Sequence, residues 1–412
     1  DRTSYPLALR SRCRRRCCGA VGRDRSNNKD IEQELIRLRR HFHEHPEVGH
    51  PLPQTQEYIV KLLEMYGYEN IIVNPGGSIE ILVGPHDKKI LLLRSDMDAL
   101  PLVEHTNLPF KSINGAMHAC GHDMHASMML MCAKLLKQNE KKLKGQIKIV
   151  FQPHEEGLVG CKMMIEDGVL KYPRVDAAVG LHVMPATEDK TGTIRTIRKA
   201  MTTASTIFEI NITGKSSHGS MPEKGIDALR VAVHIYQQLQ EIIPKEISMS
   251  HDDVLTIGIM NAGKAHNIIP EKAYMKCSLR SYRPDDQEYI MGRVNELVQS
   301  IASMYHAQAG ITILQQAPSV YNDPALLKSI MDVEKDVFGG YIKKLELPLT
   351  ISEDFGHITA NVPSLFVTLA AGCKQDGYIY GLHNKATIFD EGCLMYGLYF
   401  LYNAAMNWNV KY

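Results

Sequence analysis

The chain has 412 residues, 44% of them hydrophobic, and its 47 Lys+Arg against 46 Asp+Glu leave a formal net charge of +1. One core rarely grows beyond roughly 250–300 residues, so about two domains are expected. The near-neutral balance excludes a global field that recruits nucleic acid or an anionic membrane, and no run reaches the roughly 18–20 apolar residues that span a bilayer.

A small-molecule substrate suits this charge better. Nine cysteines, an odd number without a repeating spacing, do not read as a secreted disulfide framework. The expected protein is therefore soluble and cytoplasmic.

At the start of the chain, Arg10, Arg12, Arg14, Arg15, Arg16, Arg23 and Arg25 crowd a segment that also holds Cys13, Cys17 and Cys18. Arg-rich, acid-poor leaders serve as organelle transit peptides, but this one lacks an amphipathic stripe, so residues 1–29 read as a disordered basic arm. From Ile31 the apolar positions Ile31, Leu35, Ile36 and Leu38 recur at helical spacing, and residues 54–65 predict a second amphipathic helix stopped by Gly67. The period then shortens. Residues 71–73 and 79–83 are β-type runs parted by Pro75-Gly76-Gly77, and residues 89–93 form an apolar strand running into Arg94-Ser95-Asp96-Met97-Asp98.

A helix over 125–138, a strand over 146–151 leading to Glu155-Glu156, a helix over 160–168 and a strand over 175–179 leading to His182 follow. This alternation predicts an α/β domain with a largely parallel sheet, in which ligands bind beyond the carboxyl ends of the strands. Residues 201–318 then read strand, helix, strand, strand, helix, strand, a ferredoxin-like βαββαβ unit. A helix over 324–338, a buried strand over 364–369, a turn holding His383 and a helix over 391–406 resume the first pattern. The expected organisation is a catalytic domain of residues 30–200 and 319–412 with a smaller domain, 201–318, inserted into it.

Five side chains that favour divalent metals stand just past apolar runs or in Gly-flanked turns. Cys120 and His122 lie in Met117-His118-Ala119-Cys120-Gly121-His122-Asp123, and Glu156 closes Phe151-Gln152-Pro153-His154-Glu155-Glu156. His182 follows Gly180-Leu181, and His383 follows Gly381-Leu382. Thiolate, imidazole and carboxylate are the usual ligands of zinc and its first-row neighbours, so this placement predicts one metal site in a metal-dependent hydrolase. Singly, Cys120 reads as an ordinary buried thiol, His182 and His383 as core or turn histidines, and the Glu155-Glu156 pair as a solvated surface feature. Gly121 allows Cys120 and His122 to turn toward one centre.

Adjacent Glu155 and Glu156 point to opposite faces of a strand, so a shared site requires the strand to end before them. One carboxylate then binds metal, and the other takes a proton from water whose pKa a divalent ion brings to about 7. Asp96 and Asp98 alternate and share a face, which suits Asp98 to orienting a ligand, with helix capping as the plainer role. There is no His-Glu-x-x-His helix, Gly-rich phosphate loop, Gly-x-Ser-x-Gly elbow or deaminase His-x-Glu with Pro-Cys-x-x-Cys.

From about Ile31 to the C-terminus, Arg94-Ser95-Asp96-Met97-Asp98-Ala99-Leu100-Pro101, residues 117–123 and 151–156, Gly180-Leu181-His182 and Ser352-Glu353-Asp354-Phe355 occur in order. Together they resemble the aminoacylase-like amidohydrolases, which include hippurate hydrolase, N-acetyldiaminopimelate deacetylase and the plant indole-acetyl-amino-acid hydrolases. The resemblance implies a zinc-peptidase-like catalytic domain holding two divalent ions per subunit, zinc or manganese. It also implies that the inserted domain is a lid that makes a homodimer contact.

By matching motif, Cys120, His122, Glu156, His182 and His383 become the metal ligands and Glu155 the general base. His218 of Ser217-His218-Gly219 becomes the group that polarises the substrate carbonyl. Asn267 of Asn267-Ile268-Ile269-Pro270, with Arg280, becomes the pair that meets the substrate carboxylate. The implied reaction splits an N-acyl amino acid, or a short peptide, into a carboxylic acid and a free amino acid. A dipeptidase or carboxypeptidase of the same architecture is one alternative. A catalytically silent metal-binding relative is another, and retention of every ligand argues against it. Pro222-Glu223 where relatives commonly have Pro-His, together with His154 and Leu158-Val159 around the Glu pair, places the divergence in substrate preference rather than in catalysis.

Overall fold

Strands Ile90–Asp96, Gln146–Gln152 and Ser364–Ala370 are buried at every position, a pattern that a sheet covered on both faces produces. The structure, a computed structural model, describes residues 25–408, with side-chain environments from residue 28 onward. Residues 1–24 of the expected arm lie outside the described residues. Its last residues belong to the helix Arg25–Glu44, where buried Asn28 accepts a 2.7 Å hydrogen bond from the Tyr399 hydroxyl.

Among the described residues, the larger unit comprises 25–199, 321–347 and 358–408. Its eight-stranded sheet runs in the order Ile72–Val73, Ile79–Val83, Gln146–Gln152, Ile90–Asp96, Ala177–Met184, Ser364–Ala370, Ile194–Thr196, Ile342–Lys344. The four strands in the middle are mutually parallel, whereas Ile79–Val83 and Ile194–Thr196 flank them antiparallel. Their carboxyl ends therefore share one edge, where an open α/β sheet binds its ligands. Helix His122–Gln138 packs against Arg25–Glu44 and Leu394–Met406. It is buried on nearly every side and filled by Met124, Met128, Met129 and Met131, as expected of a helix without a polar face. Among the described residues, no helix is long and apolar enough to cross a membrane.

The second unit comprises residues 200–320 and 348–357. Its antiparallel sheet runs Val254–Ala262, Lys272–Ser281, Ala204–Thr213, Gln308–Ala317, so the first strand lies between the third and fourth, the ferredoxin-like order. Lys272–Ser281 buries alternate residues against helices Ala228–Glu246 and Pro284–Met304, whose Val231, Ile235, Ile290 and Val294 complete the core. Asp227 caps the first helix by accepting from the Leu229 and Arg230 amides. Residues 348–357, expected with the catalytic domain, belong here because Leu349 N–H donates to the Met201 carbonyl (2.9 Å) and Thr203 N–H to that of Ile351 (3.1 Å). Two segments distant in sequence are joined by main-chain bonds that no local pattern announces.

One buried acid of the larger unit makes stability depend on pH. Glu334, on helix Pro324–Phe338, is 0% exposed, and only Oε2 is met, by Asn403 Nδ2 at 3.3 Å, while Oε1 has no partner. Burial holds its carboxyl well above the ordinary value of 4.5. A raised folded-state pKa contributes stability that is complete below the unfolded value and is lost as pH rises toward the folded one. Glu334→Gln keeps the acceptor and removes that loss. Its melting temperature should exceed the parent's by more at pH 8 than at pH 5, and an equal difference at both would refute the assignment.

Candidate metal centre

The strand Gln146–Gln152 stops before Pro153, and His154 (φ 61) and Leu158 (φ 56) turn the backbone. Glu155 and Glu156 therefore leave the sheet together, which is the condition a shared site requires. Helix His122–Gln138 begins three residues ahead of its predicted start because Gly121, at φ 87, reverses the chain there. A Cβ at Gly121 would stand 2.4 Å from Val183 Cγ2, so only glycine fits. His182 lies within strand Ala177–Met184, paired to Thr368, rather than beyond its end. The His383 amide bonds the Ala119 carbonyl at 3.0 Å, fastening the C-terminal turn to the Cys120 loop.

The five expected metal ligands converge. Cys120 Sγ lies 3.4 Å from His182 Nε2 and 3.3 Å from His383 Nε2, and the latter is 3.3 Å from Glu156 Oε2. Donor atoms of Cys120, His122 and His182 all fall within 4.8 Å of one another, and so do those of Cys120, Glu156 and His383. Cys120 is the corner common to both groups. Glu155 Oε2 stands 3.7 Å from His122 Nε2.

Three buried atoms here, His122 Nε2, Glu156 Oε1 and Asp98 Oδ1, have no hydrogen-bond partner. Buried polar atoms are seldom left so unless another group completes them. A thiolate, imidazoles and a carboxylate in two groups sharing the sulfur fit two divalent first-row ions.

The surroundings select which nitrogens face the cluster. His122 Nδ1–H donates to the Asp98 main-chain carbonyl at 2.8 Å and His182 Nδ1–H to that of Val183 at 2.7 Å, leaving each Nε2 lone pair toward Cys120. Asp98 Oδ2 accepts the Glu156 amide at 3.1 Å, and its Oδ1 is 3.3 Å from His122 Nδ1. Strand Ile90–Asp96 ends before Asp98, yet Asp96 also reaches the same ring, with Oδ2 3.8 Å from His122 Nε2.

Burial pushes the Cys120 thiol well above its ordinary value, with Glu156 and Glu155 adding to the effect. Burial also works against a charged His122, but Asp96 and Cys120 hold that ring well above its usual range. His182 is driven well below it by burial and by the neighbouring His125. For Glu156, burial is outweighed by His383 and His122, which lower the carboxylate.

Several supporting residues went unassigned in the sequence. Asp96 Oδ1 bonds His125 Nδ1 at 2.6 Å, His125 Nε2 accepts the Val183 amide at 2.8 Å, and Arg94 links Asp96 (2.8 Å) to Gln152 (2.7 Å). With both ring nitrogens engaged, His125 supports the strand carrying His182. Its one sequence signal is the i,i+3 spacing from His122 on a single helix face. His43 stands between Asp123 (2.8 Å) and Glu104 (3.2 Å), and Arg39 Nε is 2.8 Å from Asp123. Arg39 and His43 are one helical turn apart and touch at 3.3 Å, but their acidic partners Asp123 and Glu104 lie far away in the chain.

His218, Asn267 and Arg280 belong to the second unit. His218 pairs with Ile268 in a two-stranded ribbon, and the Gly219 amide bonds the Asn267 carbonyl at 2.7 Å, so the backbone segments carrying His218 and Asn267 are neighbours. Arg280, on strand Lys272–Ser281, donates through Nη1 to Ser352 Oγ. That contact joins it to the Ser352-Glu353-Asp354-Phe355 motif.

Residues 92–407 match the model of Peptidase family M20/M25/M40. The chain belongs to this family. The M20 chain is 30% identical over 388 residues to the N-acetyl-L-cysteine deacetylase of Bacillus subtilis (strain 168), covering 92% of this chain and 89% of the relative. It is 34% identical over 370 residues to the hippurate hydrolase of Campylobacter jejuni, covering 89% and 94%. Among solved structures it is similar to the Bacillus subtilis YXEP protein, named a dinuclear metal-binding peptidase from the M20 family, with a TM-score of 0.76 and 30% identity over 92% of this chain and 98% of that one.

Proposed function

We propose that this M20 chain hydrolyses the amide bond of N-acyl amino acids, releasing a carboxylic acid and a free amino acid, at a centre of two divalent ions. The observation that carries the reading is the Cys120 sulfur as shared corner of two donor groups, with Glu155 beside them. Cys120, His122, Glu156, His182 and His383 hold the ions, zinc or manganese, and the thiolate favours zinc. The relatives' names, a deacetylase of N-acetyl-L-cysteine and a hippurate hydrolase, support the substrate class.

Bound there, such ions acidify water and polarise the amide carbonyl. Glu155 accepts the proton of the attacking water and passes it to the departing amine. Asp98 and the Val183 carbonyl keep Nε2 of His122 and His182 available as donors. His218 donates to the oxyanion, and Asn267 and Arg280 receive the substrate carboxylate, for which a guanidinium fork is well shaped.

The second unit acts as lid and homodimer contact. Leu229, Val233 and Tyr236 form an exposed stripe on helix Ala228–Glu246, and Val254 and Ile259 are exposed on the open edge strand Val254–Ala262. Exposed apolar patches and unpaired strand edges are where chains associate. Cys120, Cys132, Cys161, Cys277, Cys373 and Cys393 are free thiols, in keeping with the cytoplasm.

A peptidase reading is favoured by the name of the YXEP structure. Assay of the metal-loaded enzyme on N-acetyl and N-benzoyl amino acids beside dipeptides separates the two. Faster turnover of the acyl amino acids is expected. Preference for dipeptides transfers the assignment to a peptidase, and no turnover of either makes the chain a silent relative. Sedimentation equilibrium of the same sample should return the mass of two chains, and a single-chain mass removes the dimer.

A further inference from the structure

We propose that the second unit carries its own metal site, formed by His251, Asp253 and Asp286, which takes one divalent first-row cation such as zinc. His251 and Asp253 sit on the turn entering strand Val254–Ala262, closed by the His251 amide on the Ser248 carbonyl at 2.9 Å. Val254 pairs with Arg280, so Asp253 stands at the sheet end where the chain turns into helix Pro284–Met304, whose first turn holds Asp286. Two elements, the strand-entry turn and the helix start, thus deliver three donors to one place.

His251 Nδ1 and one carboxylate oxygen from each Asp lie within 4.8 Å of one another, with His251 Nδ1 2.7 Å from Asp286 Oδ2. Two ligand atoms each about 2.1 Å from a tetrahedral ion stand roughly 3.4 Å apart, so His251 and Asp286 would move apart by a few tenths of an ångström to admit an ion between them. His251 Nδ1, Asp253 Oδ2 and Asp286 Oδ2 are all buried atoms with no hydrogen-bond partner. The same signature marks His122 and Glu156 in the first centre. Asp253 is 8% exposed, and a carboxylate oxygen so enclosed is normally satisfied.

A simple His251–Asp286 ion pair is the competing account. It leaves Asp253 Oδ2 unmet, and the His251–Asp286 contact, though short, is not aligned as a hydrogen bond. Arg283 Nε approaches Asp286 Oδ2 at 3.4 Å from a side chain that is 57% exposed, so it can swing into solvent. Two carboxylates and one imidazole form a hard-to-borderline set suited to zinc or manganese, and an ion there clips the strand entry to the helix.

The full chain, loaded with zinc and freed of excess, should lose one zinc equivalent by elemental analysis in His251→Ala and in Asp253→Asn, with amidohydrolase activity retained. Asp253→Asn preserves shape, and circular dichroism confirms its fold. Asp285→Asn, one residue outside the cluster, should keep the parental count. Equal zinc content in the parent and both cluster variants overturns the site. Failure of the catalytic-centre reading has a different outcome, unchanged zinc in Cys120→Ala.

Discussion

Glu155→Gln should lower kcat by about 10²–10⁴-fold, the usual contribution of a positioned general base, while the metal content stays parental. Glu155 is 5% exposed, three residues past the strand that ends at Gln152, and its Oε2 lies 3.7 Å from His122 Nε2. Glutamine preserves volume and can still hydrogen-bond, so the local packing survives. An amide cannot take up the water proton and deliver it to the amine, so turnover alone suffers. Steady-state kinetics with elemental analysis on one sample tests this. Retained turnover would remove Glu155 from the base role, and metal lost from a folded variant would move it into the ligand set.

Cys120→Ala should weaken both ions together, because its sulfur is the corner shared by the group with His122 and His182 and the group with Glu156 and His383. Loss of a partner that merely orients a ligand costs about 10–100-fold in metal affinity, so loss of a common ligand is expected to cost at least roughly 100-fold for each ion. The side chain is small and buried, and exchanging thiol for methyl removes little volume, so the fold should persist. Titration with a chelator while metal release is followed reads the two affinities. One ion held at parental affinity would show that the sulfur does not bridge.

The architecture was legible wherever one face of an element met one environment. The apolar stretches 90–93 and 149–151 announced a buried parallel sheet, and the strand–helix–strand–strand–helix–strand order of 201–318 announced the antiparallel one. Chemistry-bearing residues at strand ends and glycine turns announced the cluster, because donors gather where strands stop and the backbone bends. Boundaries were less legible. Helix His122–Gln138 starts early because Gly121 can hold a left-handed turn against Val183, and strand Ala177–Met184 runs on past His182 because Ser364–Ala370 pairs with it to the end.

By itself the sequence determined the two kinds of sheet and the donor types that make a metal centre possible, since these follow from hydrophobic period and side-chain chemistry. Tertiary structure alone decided that Cys120 is common to two donor groups, that His125, Asp96 and Arg94 brace the strand carrying His182, and that residues 348–357 join the second unit. Each of these depends on atoms a few ångströms apart in space but tens to hundreds of residues apart along the chain, and local propensity carries no information about such distances.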